Sequence, residues 1–288
     1  MLVYKQYDQE ALDRQYNNRV HVPDFEIHLE RWKSLSRQTE KELRVVKDLQ
    51  YGSLPREKLD IYPSQQPSSK TLIFIHGGYW HKWGKEDFQF VAKAFHDYGI
   101  TTVLINYPLA PAVSIDQIVT SCRDAVCWIS QNIKIYNGDP GQLYVAGHSA
   151  GAHLAVMLLA TAPTATGEKN TKLVANKIQG VCAISGLFNL TPIHLSHINE
   201  VLHMDKETTL RNSPVQHLPA SQPALSIVVG SGETDEFLDQ SMELYTLWKE
   251  NIATEIVQAQ ALNHYSIVET MLDRQSSLHK EMLRIMKM

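Results

Sequence analysis

Cysteine is scarce in this chain, and the little there is does not pair by pattern. Cys122, Cys127 and Cys182 make an odd set of 3 without CxxC spacing. That excludes a disulfide framework and a thiolate zinc knuckle, and suits buried, reduced thiols. An excess of positive charge is also missing: 27 Lys and Arg stand against 31 Asp and Glu, for a formal net charge of −4. Such a chain has no global attraction to phosphate backbones or anionic membranes, so neither nucleic acid nor a membrane is an expected partner. Long apolar runs are absent as well. The most apolar helical stretch, around Leu154 to Ala162, falls well short of the ~20 residues needed to cross a bilayer. Lys5, Asp8 and Glu10 interrupt the N-terminal apolar residues before a signal-peptide core can form. Together these absences predict a cytoplasmic location. No solenoid-period repeat and no convincing linker appears, and the only biased tract is the short loop Pro63 to Lys70.

What remains is ordinary globular material, 43% hydrophobic and 20% charged over 288 residues. One large domain spanning 1–288 is the default for such a length. Apolar, β-branched segments at Thr71–Ile75, Thr101–Asn106, Gln142–Ala146, Ile178–Ile184, Ala224–Val229 and Thr254–Ala259 read as strands buried on both faces. Between them lie helical patterns such as Ser114–Tyr136, whose Ile118, Cys122, Ala125, Ile129 and Ile133 form one stripe. Repeated strand–helix units predict an α/β fold with a mainly parallel central sheet flanked by helices. "LRVVKDLQYG" and "EKLDIYPS" precede them as a hairpin. Residues 1–44 form an N-terminal helical extension in which Phe25, Leu29, Trp32 and Leu35 recur at helical spacing. The proline-rich, irregular stretch 186–222 is expected to act as a lid.

Three segments carry chemistry. "LYVAGHSAGAHLAVMLLA" sets Gly147, Ser149 and Gly151 in G-x-S-x-G spacing between a strand and a helix, the context in which a sharp turn lifts a serine hydroxyl clear of the sheet. Taken alone it is also a glycine-rich turn with a capping serine. A serine nucleophile needs a histidine base and a carboxylate to orient it. Downstream, Glu233 and Asp235 follow the strand "ALSIVVG", and His264 follows "TEIVQAQ". Glu233 is favoured as the acid because it stands three residues after Gly230 at the strand end; Asp235 is the alternative. "LIFIHGGYWHKWG" supplies the third part. Gly77 and Gly78 let bare backbone approach a substrate, and the N–H groups of Gly78, Tyr79 and Ala150 are placed to grip a developing oxyanion. Trp80 and Tyr265 are then candidate substrate contacts, with Tyr79 and Trp83 nearby as pocket wall. His148 and His153 beside the nucleophile are read as packing or surface residues. His194 and His197 are spaced to share a metal, but no clustered Cys, Asp or third His joins them, so neither a metal nor another cofactor is expected.

These segments resemble the kynurenine formamidase (arylformamidase) branch of the α/β-hydrolase superfamily. "HGGYW" at 76–80 is similar to that branch's H-G-G-x-W motif, and "AGHSAGAHLA" at 146–155 to its nucleophile segment. "RNSP" at 211–214, the frame of Glu236, Phe237, Gln240 and Ser241, and "NH" at 263–264 also fit. The resemblance runs from "YGSLPREKLDIYPS" to the final helix, with a weaker echo in "LDRQYNNR". Animal formamidases differ in having an aspartate where Glu233 stands and another context where this chain has "NHYS". The N-terminal "LDRQYNNRVHVPDF" is similar instead to bacterial members. The resemblance implies a metal-independent serine hydrolase that acts on N-formylkynurenine in tryptophan breakdown. The residues themselves support hydrolysis of a small acyl amide or ester through an acyl-serine intermediate. A general short-acyl carboxylesterase is the alternative, followed by a non-catalytic receptor on the same fold. A homodimer is compatible with the chain.

Overall fold

The computed structural model describes residues 1–161 and 171–288. Eight strands form one sheet: β1 (Val46–Gln50), β2 (Lys58–Tyr62), β3 (Ser69–Ile75), β4 (Thr101–Ile105), β5 (Gly138–His148), β6 (Ile178–Ile184), β7 (Ala224–Gly230) and β8 (Thr254–Ala259). Their spatial order is β1-β2-β4-β3-β5-β6-β7-β8. The hairpin β1–β2 and its junction with β4 are antiparallel. Every other neighbouring pair is parallel, as strand–helix alternation requires.

The sequence of β3 explains why both faces of the sheet are covered. Side chains alternate across a strand, so Leu72 and Phe74 enter one apolar layer while Ile73 and Ile75 enter the other. The first layer is closed by the helix Phe25–Glu42 through Trp32, by Phe90–His96 and by the terminal Ser277–Ile285. The second is closed by Ile115–Asn132, Ala150–Met157 and Asp235–Trp248. Of the apolar run expected over Leu154–Ala162, Leu154–Met157 is helical and Ala162 lies outside the described residues.

Local signals fix several boundaries. Ser114 caps Ile115–Asn132 in a reciprocal capping box with Gln117. The expected helix to Tyr136 tightens into a 3-10 turn over Ile133–Tyr136 and stops at Asn137, whose φ of 66° is left-handed. β5 is longer than the pattern suggested, because Gly138 pairs with Ser69 ahead of the apolar run and His148 pairs with Ile184 beyond it.

The N-terminal extension straddles the sheet. Leu12 and Tyr16 of the helix Gln9–Tyr16 pack in the second layer, whereas Val22 and Trp32 pack in the first. The chain therefore crosses from one layer to the other between Tyr16 and Val22. Lys5 holds the start of this segment through Glu236 Oε1 at 3.0 Å, and the Tyr16 hydroxyl donates to Glu236 Oε2 at 3.0 Å. The stretch 186–222 contains the short helices Thr191–Leu195, Asn199–Leu202 and Lys206–Arg211. Arg211 ties it to the main body by a two-point contact with Asp116, at 2.9 and 2.8 Å. Among the described residues, no helix is long and apolar enough to cross a membrane.

Candidate active site

β5 ends at His148 and the next helix begins at Ala150, leaving Ser149 alone in the turn with φ 57° and ψ −121°. A non-glycine residue in that region is strained, and the neighbours hold it there. The Ser149 N–H donates to the Ile184 carbonyl at 2.8 Å. The helix can lie close under the sheet because Gly151 has no side chain; a Cβ there would collide with the Ile75 carbonyl.

Beyond β7, Glu233 turns back into the fold. Its Oε1 accepts the Gly230 N–H at 2.8 Å and the Ser185 hydroxyl. Its Oε2 lies 2.7 Å from Nδ1 of His264. An ionised carboxylate only accepts hydrogen bonds, so Nδ1 carries the proton and Nε2 presents a lone pair. Both residues are buried, and the imidazole is wedged between the rings of Phe237 and His148, at 4.6 and 4.7 Å. Asp235 is exposed at the first position of the helix Asp235–Trp248.

The loop after β3 turns sharply. Gly78 has φ 109°, and Tyr79, Trp80 and Trp83 all have positive φ, at 48°, 60° and 66°. A Cβ on Gly78 would collide with the Lys82 carbonyl. The N–H groups of Gly78, Tyr79 and Ala150 find no acceptor among the described residues. Gly78, Tyr79, Trp83, Ser149, His264 and Tyr265 line one cavity of about 100 Å³, on the scale of a single aromatic ring.

Trp80 is a correction to the sequence reading. It is fully buried rather than lining the cavity, and its indole N–H donates to His153 Nδ1 at 3.1 Å. The left-handed backbone at Tyr79 and Trp80 sends the two rings to different places: Tyr79 faces the cavity and Trp80 the core. His153 completes this packing by donating from Nε2 to the Asn212 carbonyl at 2.7 Å. Burial pushes its pKa down to about 4. His148 is likewise buried and held well below the ordinary imidazole range, by burial first and by neighbouring His264 second. Its neutral Nε2–H donates to the His264 carbonyl at 2.9 Å. His197 lines the cavity and sits 3.2 Å from Asp13, while His194 contacts Asn199 at 3.1 Å.

Several contributors escape sequence reasoning. Ser185, with φ 53° directly after β6, holds the far oxygen of Glu233; its only signal is its place at the C-terminal edge of a parallel sheet, where sites form. Tyr16, Asn17, Asn18 and Arg19 line the cavity from the crossing N-terminal segment, and the Tyr79 hydroxyl donates to the Tyr16 carbonyl at 2.8 Å. The frame of Glu236 and Gln240 acquires a reason here. Gln240 donates to the Tyr16 hydroxyl at 2.8 Å and accepts from the Phe188 and Asn189 N–H groups, so it ties the N-terminal segment to the stretch after β6.

A strained serine sharing a cavity with a carboxylate-held imidazole is equipment for cutting acyl bonds, and the chain is a serine hydrolase with the α/β-hydrolase fold. It belongs to the BD-FAE family, whose model matches residues 59–247. It is 33% identical to a kynurenine formamidase of Danio rerio over 93% of this chain and 88% of the relative. A second kynurenine formamidase, from Salmo salar, is 29% identical over 98% of each chain. Among solved structures it is similar to a provisional thioesterase of Silicibacter sp., with a TM-score of 0.84 and 26% identity over 96% of this chain and 99% of the other. The expectation of a kynurenine formamidase-like α/β-hydrolase acting on small amides or esters is borne out, and the receptor alternative falls.

Proposed function

We propose that the chain hydrolyses N-formyl arylamines of the N-formylkynurenine type, with Ser149 as nucleophile, His264 as base and Glu233 as its orienting acid. The carrying observation is the 2.7 Å contact of His264 Nδ1 with Glu233, made at the cavity that Ser149 lines. Likeness to two kynurenine formamidases over nearly the whole chain supports the choice of acyl group.

In this reading the Ser149 hydroxyl loses its proton to His264 Nε2 as its oxygen attacks the formyl carbon. The carbonyl π electrons move onto oxygen, where the N–H groups of Gly78, Tyr79 and Ala150 receive the charge. Collapse expels the arylamine, which takes the proton from His264, and leaves formyl-Ser149. Water then gives a proton to the same imidazole while attacking the formyl carbon; the adduct expels the Ser149 oxygen, which takes that proton back, and formic acid departs, ionising to formate in solvent. Glu233 stays ionised throughout and stabilises the imidazolium. A formyl group has only hydrogen beyond its carbonyl, which suits a cavity of about 100 Å³.

The segment 186–222, from which His197 and Ile198 reach the cavity, serves as its lid. A reducing, cytoplasmic setting fits the three unpaired cysteines. The test is kcat/KM for N-formylkynurenine beside acetyl and butyryl phenyl esters. The formamide is expected to be the better substrate; esters exceeding it tenfold or more would make the chain a short-acyl carboxylesterase.

A further inference from the structure

We propose that Arg19 and Lys82 form a carboxylate-binding subsite at the mouth of the cavity, so that the preferred substrate carries a carboxylate on the group that leaves. This rests on the hydrolase reading of Ser149 and extends it to the charge of the substrate. A formyl group has no substituent, so a charge can only sit on the departing amine.

The argument starts from what lines the cavity. Arg19 comes from the crossing N-terminal segment and Lys82 from the loop after β3, and both line the cavity of Ser149. No Asp or Glu lines it among the described residues. Four carboxylates of the surrounding elements are committed elsewhere: Glu233 to His264, Glu236 to Lys5, Asp13 to His197 and Glu269 to His28. In a chain of net charge −4, an acid-free hollow with two cations at its rim is a local arrangement and not a consequence of composition.

The cations also feel each other. The Lys82 ammonium is held below its ordinary range, by burial first and by the Arg19 charge second. Like charges brought together at a concave surface are relieved when an anion enters. Arg19 is placed for this purpose. Its guanidinium lies over the Phe25 ring, 5.0 Å from the centroid, and Phe25 in turn packs against Tyr265 at 6.0 Å. A guanidinium laid on an aromatic face keeps its N–H fork free for two-point contact with a carboxylate. Lys82 hangs from the turn that carries Gly78, since its N–H donates to the Gly78 carbonyl at 3.0 Å. A substrate anion gripped there registers the scissile bond against the oxyanion donors.

The experiment compares kcat/KM within two matched pairs: 3-formamidobenzoate against formanilide, and 3-acetoxybenzoate against phenyl acetate. The parent protein is expected to favour the carboxylated member of each pair. Arg19→Gln and Lys82→Gln should each reduce that ratio about tenfold, the loss expected for one charge-assisted hydrogen bond, with the change mainly in KM. Arg19→Lys should restore part of it, and 0.5 M salt should compress the parental ratio. Ratios that neither substitution moves would overturn the subsite, even if formanilide is turned over briskly. Discrimination that depends on Arg19 and Lys82 in the acetate pair alone, with both formamides inert, would uphold the subsite and remove the formamidase reading. Both side chains are exposed, so circular dichroism is expected to show folded variants.

Discussion

Glu233 Oε2 stands 2.7 Å from His264 Nδ1, while Asp235, two residues along, faces solvent. The two carboxylates therefore separate cleanly in mutagenesis. Glu233→Gln should lower kcat by about 10³- to 10⁴-fold, because an amide can present a donor to Nδ1 and favour the wrong tautomer. Asp235→Asn should change kcat less than about threefold. Steady-state kinetics on both folded variants checks this, and the reverse pattern would move the orienting role to Asp235.

Ser149→Ala should remain folded and lose the acyl-enzyme. An organophosphate that labels the parental protein stoichiometrically is expected to leave the variant unlabelled in intact-mass spectra. Turnover should fall by about 10⁶-fold or to the background rate.

Gly78→Val forces a β-branched side chain into φ 109° against the Lys82 carbonyl. The displaced turn misaims the donors for the oxyanion, so kcat should fall about 10²- to 10³-fold with a smaller change in KM. An unchanged kcat in a folded variant would reduce Gly78 to a turn residue.

Ser185→Ala removes one of the two protein donors to the far oxygen of Glu233 and leaves the Gly230 N–H. The carboxylate keeps its place but less firmly. We expect a kcat lowered about tenfold, roughly the value of one charge-assisted hydrogen bond, while Ser185→Thr retains more activity than Ser185→Ala.

Buried neutral histidines give stability a pH dependence with a definite sign. His76 and His153 are both pushed down to about 4 by burial. Below pH 6.5 the unfolded chain takes up these protons while the folded chain does not. Their contribution is therefore complete above 6.5 and is lost as pH falls toward 4. Each is worth at most on the order of 3 kcal/mol across that window. Protonating His153 would also turn the acceptor of the Trp80 indole into a donor. Urea midpoints measured from pH 7 to 4 should fall, and His153→Gln, though less stable at pH 7, should flatten the slope.

How much could be read in advance depends on whether a feature is local. The strands from β3 to β7 are legible because Leu72 to Ile75 and their counterparts are apolar on both faces, whereas β8, expected to be buried on both faces, lies at the sheet edge with Glu255 and Gln258 exposed. The sharp turn at Ser149 is legible because the glycines at 147 and 151 serve contacts within a few residues of Ser149 or with the adjoining β3. Glu233 is legible through its spacing from Gly230, whose N–H it accepts. Trp80 departs from the expected cavity wall because three successive residues from Gly78 have positive φ, and no alternation rule survives such a stretch. Ser185 and the cavity wall from Tyr16 to Arg19 could not be assigned, since their partners lie 48 residues away in one case and 63 in the other.

That cavity wall separates two jobs along the chain. The residues proposed for bond cleavage hang on β5, β7, β8 and the turn after β3, whereas the opening segment that faces them is fastened by side-chain ties, Lys5 to Glu236 and Gln240 to Tyr16. Because Leu12 and Tyr16 also pack in one core layer and Val22 in the other, its remaining positions can be rewritten without disturbing the sheet only where those three are kept. Divergence in what the protein accepts is then cheap for evolution: new openings can be tried over an unchanged engine by changing the cavity-facing positions from Asn17 to Arg19 between those core anchors.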